Sequence, residues 1–110
     1  MIEKKLITTA FDLPGYTIVE SLGIVRGISV RSPGALGGFK AGIESWFKGN
    51  VPTLAKLCED TRSESLKVLV EHAEEMGANA VIGFRYDTNE LIGDVTEVLA
   101  YGTAVIVRKQ

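Results

Sequence analysis

Apolar and polar residues alternate from Tyr16 to Val30. Ile18, Leu22, Ile24, Ile28 and Val30 fall on one parity, and Thr17, Ser21, Gly23, Gly27 and Ser29 fall on the other with Val19 and Val25. Successive side chains of a strand point to opposite faces, so this segment reads as one long strand, or two collinear ones, with one face on a core. Gly23 and Gly27 share the thin parity and suggest a bend, a bulge or another backbone lying close.

The period then changes. From Thr53 to Met76 a helical repeat places Leu54, Leu57, Cys58, Thr61, Ser65, Val68, Leu69, His72 and Met76 on one face. Leu66, Val70 and Ala73 form a second stripe beside it, and Lys56, Asp60, Glu64, Lys67, Glu71 and Glu74 take the solvent side. Asn50 or Thr53 can cap the start, and Gly77 can end the helix in the left-handed conformation. The apolar arc is wider than one sheet requires, and a neighbouring subunit would cover the second stripe.

Two strands follow, Ala80 to Asp87 and Thr96 to Val107, joined through a polar turn region from Thr88 to Gly93. The last strand is apolar on both faces. Val98, Ala100, Gly102, Ala104 and Ile106 lie on one, and Leu99, Tyr101, Val105 and Val107 on the other. One helix covers one face of a small sheet, and another copy of the chain is the simplest cover for the second. Ahead of these elements, Leu6 to Thr9 is a short β-like stretch, with a turn at Asp12-Leu13-Pro14-Gly15. Ser32 to Gly38 reads as a loop. Phe39 to Lys48 reads as a short helix with Phe39, Ile43, Trp46 and Phe47 in one apolar stripe. The expected class is α+β in β-α-β-β order, an antiparallel sheet packed on one long helix, with the short strand and short helix used in oligomer assembly.

The totals add boundaries to this pattern. The chain has 110 residues, 45% of them hydrophobic and 24% charged, which suits one domain spanning 1–110 that buries a core without disulfides. The net charge of −2, with basic residues scattered, offers no field for nucleic acid. No apolar run reaches signal-peptide or membrane-spanning length. The single cysteine, Cys58, allows no intrachain disulfide. The expectation is a cytoplasmic protein whose partner is itself, without nucleic acid or membrane.

Three segments, Leu13 to Gly27 (LPGYTIVESLGIVRG), Glu74 to Thr88 (EEMGANAVIGFRYDT) and Ala100 to Val105 (AYGTAV), resemble the YbjQ-like family, small prokaryotic proteins that carry the label of a heavy-metal-binding domain. The resemblance covers nearly the whole chain in the same order. It implies a dodecin-like β-α-β-β subunit assembled as a ring-shaped pentamer, and it supplies no catalytic residue. The chain departs from the family pattern at Lys48-Gly49-Asn50, where members usually carry a Gly-Gly-Glu-like tripeptide. Arg62 fits an alanine-arginine pair of the family's helix, with Thr61 in place of the alanine.

The label makes a metal ion a possible cofactor, and Cys58 and His72 are the soft-ligand candidates. They lie on one face of the long helix but fourteen residues apart, roughly 21 Å along its axis. They can share an ion only between subunits. The plain alternative is a packed thiol and a hydrogen-bonded imidazole. Arg85 and Glu97 would meet across the last two strands if their connection folds symmetrically about Leu91, with Tyr101 further along on the side of Glu97. Such a cluster could bind an anion or be a cross-strand ion pair. Arg26 and Arg31 are further candidate lining residues. The Ser32 to Gly42 segment lacks the spacing of a phosphate-binding loop. Nothing places a nucleophile beside His72. Two readings follow: a ring-shaped homo-oligomer holding a heavy metal or small ligand, or an enzyme acting on a small anionic metabolite at a subunit interface through Arg85, Glu97, Tyr101 or His72.

Overall fold

A computed structural model describes residues 2–31, 51–90 and 96–110. It contains the long strand β1 (Tyr16–Arg31), the helix α1 (Val51–Glu75) and the strands β2 (Ala80–Glu90) and β3 (Thr96–Lys109). The strands form one antiparallel sheet in the order β1-β3-β2, so β3 is central and β1 is an edge. The chain is therefore α+β in the expected β-α-β-β order. The expected loop from Ser32, the short helix Phe39 to Lys48 and the cap at Asn50 or Thr53 lie outside the described residues and side chains.

The helix stop follows from one residue. Gly77 has φ +90°, a conformation that costs little without a Cβ. It lets the Ala78 amide donate to the Ala73 carbonyl (3.0 Å) and the Gly77 amide to the Glu74 carbonyl (3.0 Å). These are the two bonds of a Schellman ending. Asn79 then locks the start of β2 onto β3. Its side chain donates to the Val107 carbonyl (2.8 Å) and accepts from the Val107 amide (2.7 Å).

Among the described side chains of α1, the buried seam is Thr61, Ser65, Leu69 and Ala73, four residues at helical spacing. This rotates the expected stripe. Cys58 and His72 are exposed, and Leu57 and Met76 are exposed too. Ala73, expected under a neighbouring subunit, is buried in its own core, where Leu66 and Val70 also pack. The reason lies beneath the helix. Val25, Gly27 and Ser29 of β1 are buried, and their cross-strand partners Gly102, Ala100 and Val98 are buried as well. A Cβ on Gly27 would collide with the Ser65 carbonyl and lie 2.5 Å from the Leu69 amide nitrogen, so the helix sits directly on strand backbone. Ser65 uses that proximity. Its hydroxyl donates to the Val98 carbonyl at 3.0 Å, which satisfies a polar group in a fully enclosed place.

Gly23 marks a register shift in β1, between Ser21 and Gly23, and a second shift lies between Ile18 and Glu20. The stretch expected as a short strand, Leu6 to Thr9, is instead a 3-10 turn at Lys4–Leu6 followed by a single parallel bridge from Ile7 to Val81. Its amides still pair with β2. Thr8 donates to the Val81 carbonyl (2.9 Å) and accepts from the Phe84 amide (2.9 Å), and the Gly83 amide donates to Ala10 (2.7 Å). The segment thus covers the outer edge of β2. It also brings Ile2, Leu6 and Leu13 into one cluster with Val105 and Val107. Part of the doubly apolar last strand is therefore covered from within the chain.

Candidate functional site

Two regions carry the residues singled out in the sequence. The first is the sheet face turned away from α1. Cross-strand partners share a face, so the register lays out three adjacent rows there: Arg26, Tyr101 and Arg85; Ile28, Leu99 and Asp87; Val30, Glu97 and Asn89. Arg85 thus pairs with Tyr101 and not with Glu97. β2 continues through Glu90, with a register shift between Ile82 and Arg85, so the strands pair symmetrically about Gly93 rather than Leu91. The expected Arg85–Glu97 contact is replaced by a row of Tyr101 flanked by two arginines. Arg31 stands opposite Thr96 at the end of β1; its expected lining role lies outside the described side chains.

Arg85 is already engaged. Its Nη1 donates to the carbonyls of Thr9 and Phe84, each at 2.8 Å, and its guanidinium lies 5.7 Å from the centre of the Phe11 ring. This arginine fastens the N-terminal segment to the sheet edge. Glu97 is half-buried and Tyr101 exposed. Around the rows the apolar side chains are open to solvent, with Ile24 78%, Ile28 48% and Val30 50% exposed.

The second region is a cleft of about 320 Å³ between the C-terminal turn of α1 and the outer edge of β1. Ile24, Val25, Arg26, His72, Glu75 and Met76 line it. His72 Nδ1 lies 2.9 Å from the Arg26 carbonyl. A carbonyl can only accept, so Nδ1 carries the hydrogen and the lone pair of the neutral ring is on Nε2. Met76 stands one turn above His72, since its amide donates to the His72 carbonyl at 3.1 Å. Neither residue's chemistry was legible as a pair in the sequence, because both read as parts of an apolar stripe. The signal was their spacing at the end of the helix with Glu75 between them.

Cys58 lies a long way down the helix from this cleft and is exposed. No three His, Cys, Asp or Glu residues gather into a metal-sized group among the described residues. The residues with donor atoms that line the cleft are His72, Glu75 and Met76; of these, the imidazole and the thioether suit a soft ion. His72 at one edge of the sheet and Arg85 on the opposite edge strand do not converge on one pocket. The candidates of the interface-enzyme reading are thus divided, with Arg85, Tyr101 and Glu97 on the open sheet face and His72 in the cleft beside β1.

A model of the family described as "Putative heavy-metal-binding", the YbjQ type, matches residues 5–108. The chain belongs to this family. A UPF0145 protein of Solibacter usitatus is 50% identical over 107 residues, covering 97% of this chain and 96% of that one. A UPF0145 protein of Burkholderia thailandensis is 51% identical over 105 residues, covering 96% and 95%. Among solved structures, a Pediococcus pentosaceus protein of unknown function from the DUF74 family has TM-score 0.63 at 22% identity, covering 93% of this chain and 96% of that one. That likeness establishes the shared fold of this YbjQ-family chain. No helix among its described residues is long and apolar enough to cross a membrane.

Proposed function

We propose that this YbjQ-family chain works in the cytoplasm as a homo-oligomeric ring, a pentamer, whose subunit clefts or channel hold a metal ion or small ligand. The observation that carries this reading is the open sheet face. Ile24, Ile28 and Val30 stand in solvent on a long edge strand whose other face is buried under α1. An apolar sheet face beside an edge that no described strand pairs with is an aggregation hazard unless a defined partner covers it. In a closed ring each copy covers this surface of its neighbour with a different surface of its own. The copy number follows the family resemblance, and the binding role follows the family description together with the soft donors at the end of α1.

Native mass spectrometry of tag-free protein, purified without chelator, tests both parts. A pentamer carrying extra mass is the expected result. A pentamer of bare protein mass would leave assembly standing and remove the binding role. A monomer at micromolar concentration would overturn the assembly.

A further inference from the structure

We infer that the cleft at the C-terminal end of α1 is a site for a soft monovalent metal ion of the copper(I) class, held by His72 Nε2 and Met76 Sδ with the Glu75 carboxylate at its rim. The inference rests on the metal-binding reading above and names the residues that would carry it.

Three features point the same way. The first is the imidazole. A metal-ligating histidine commonly donates its other ring N–H to a carbonyl or carboxylate, which fixes the tautomer and the ring orientation. His72 already has that arrangement, with Nδ1 on the Arg26 carbonyl at 2.9 Å. The exposed ring needs no such bond for solvation, because water would serve. The bond comes instead from the outer edge of β1, and it leaves Nε2 as the free donor.

The second feature is the thioether. Met76 lines the same cleft one turn above His72. It is 40% exposed, just past the last residue of α1. The core side of this turn is taken by Ala73 and Ala78, both buried. Thioether and imidazole together favour copper(I) over the oxygen-seeking divalent ions. Monovalent copper and silver also accept low coordination numbers, so the absence of a three-residue His, Cys, Asp and Glu cluster among the described residues is no obstacle.

The third is charge. Glu75 lines the cleft and puts an acidic residue at its rim. Arg26 lines it as well, but its neighbours Val25 and Gly27 face the helix, so by strand alternation its side chain leaves from the opposite face of the sheet. Arg26 enters the site as the carbonyl that orients His72. The last carbonyls of α1 add negative potential at the same end.

Silver(I) is the probe, because it is soft, monovalent and inert to oxidation. Cys58 is an exposed thiol that would capture it, so the titration uses the full chain with Cys58→Ser. The expected result is one silver ion per chain by native mass spectrometry. It is accompanied by shifts of the His72 Nε2 and Met76 methyl resonances, with the Nδ1 proton retained. His72→Gln and Met76→Leu in that background should each weaken binding by about tenfold or more, as loss of a ligand or its orientation does. Met76→Leu keeps side-chain volume and folding. Silver that binds equally well to both variants would overturn this site while leaving the metal-binding reading intact. Absence of silver binding would overturn this site, and the binding reading falls with it only if the untreated protein also carries no extra mass. The subunit count in the same spectra reads assembly independently.

Discussion

The two faces of the sheet invert the usual relation between side-chain size and burial. The face under α1 is made largely of small residues, with Gly27, Ser29, Ala100 and Gly102 between Val25 and Val98. The opposite face carries Ile24, Ile28, Val30, Leu99 and Tyr101, and three of these are at least 48% exposed. Hydrophobicity alone would assign the core to the second face. Close approach of a helix to strand backbone decides otherwise, because large side chains at Gly27 or Ala100 would hold α1 off the sheet. The thin face is therefore the intramolecular one. The thick face is what the subunit keeps for another surface.

Substitutions on the two faces should part sharply. The largest effect is expected for Leu69→Asp, which puts a carboxylate where the side chain has 0% exposure. Such burial of an unpaired charge costs several kcal/mol, and urea unfolding followed by circular dichroism should find a chain that is unfolded or nearly so. An unchanged midpoint would mean that α1 presents a different face to the sheet. Gly27→Ala comes next. Its Cβ meets helix backbone that cannot rotate away, so overpacking should cost about 3 kcal/mol.

Ile28→Lys tests the neighbouring residue on the other face. The exposed position predicts a subunit stability within about 0.5 kcal/mol of the parent. The same change should remove the high-mass species in native mass spectrometry while the far-ultraviolet spectrum stays the same. Retention of full assembly with a lysine at this place would show that this face is not the one that copies share.

The smallest effect concerns Tyr86, which bonds the Arg62 carbonyl at 3.2 Å and packs edge-on against Phe84 at 4.8 Å. Burial raises its phenol above the ordinary value of 10.0, partly opposed by the charge of Arg62. The folded state then holds this proton more tightly than the unfolded one. The resulting stability is present below about pH 10 and is lost as pH rises through the raised value. Tyr86→Phe should cost about 0.5 kcal/mol at neutral pH through the lost hydrogen bond. It should also flatten the alkaline decline, as read from urea midpoints at neutral and alkaline pH.

Periodicity was enough to place the long strand, the long helix and the last two strands in order, because each repeat is local to its own segment. The stop at Gly77 was legible for the same reason. Register was not. Arg85 and Glu97 become partners only if the connection folds symmetrically about Leu91, but β2 runs on to Glu90 with a shift after Ile82, and Tyr101 takes the place beside Arg85. The centre of the helix seam was also missed. Helical spacing defines an arc, and the backbone under it selects which line of that arc is buried. His72 and Cys58 lay within the arc but outside the line.

Local sequence thus determined the kinds of elements, their order and the position of the helix end, since these depend on residues within a turn or a strand pair of one another. Tertiary structure alone decided which sheet face α1 covers, how the N-terminal segment wraps the edge of β2, and that His72 meets the Arg26 carbonyl. Those outcomes join residues far apart along the chain, and they are set by the steric fit of the helix against Gly27 and by backbone groups that meet only when the elements pack, which no single segment contains.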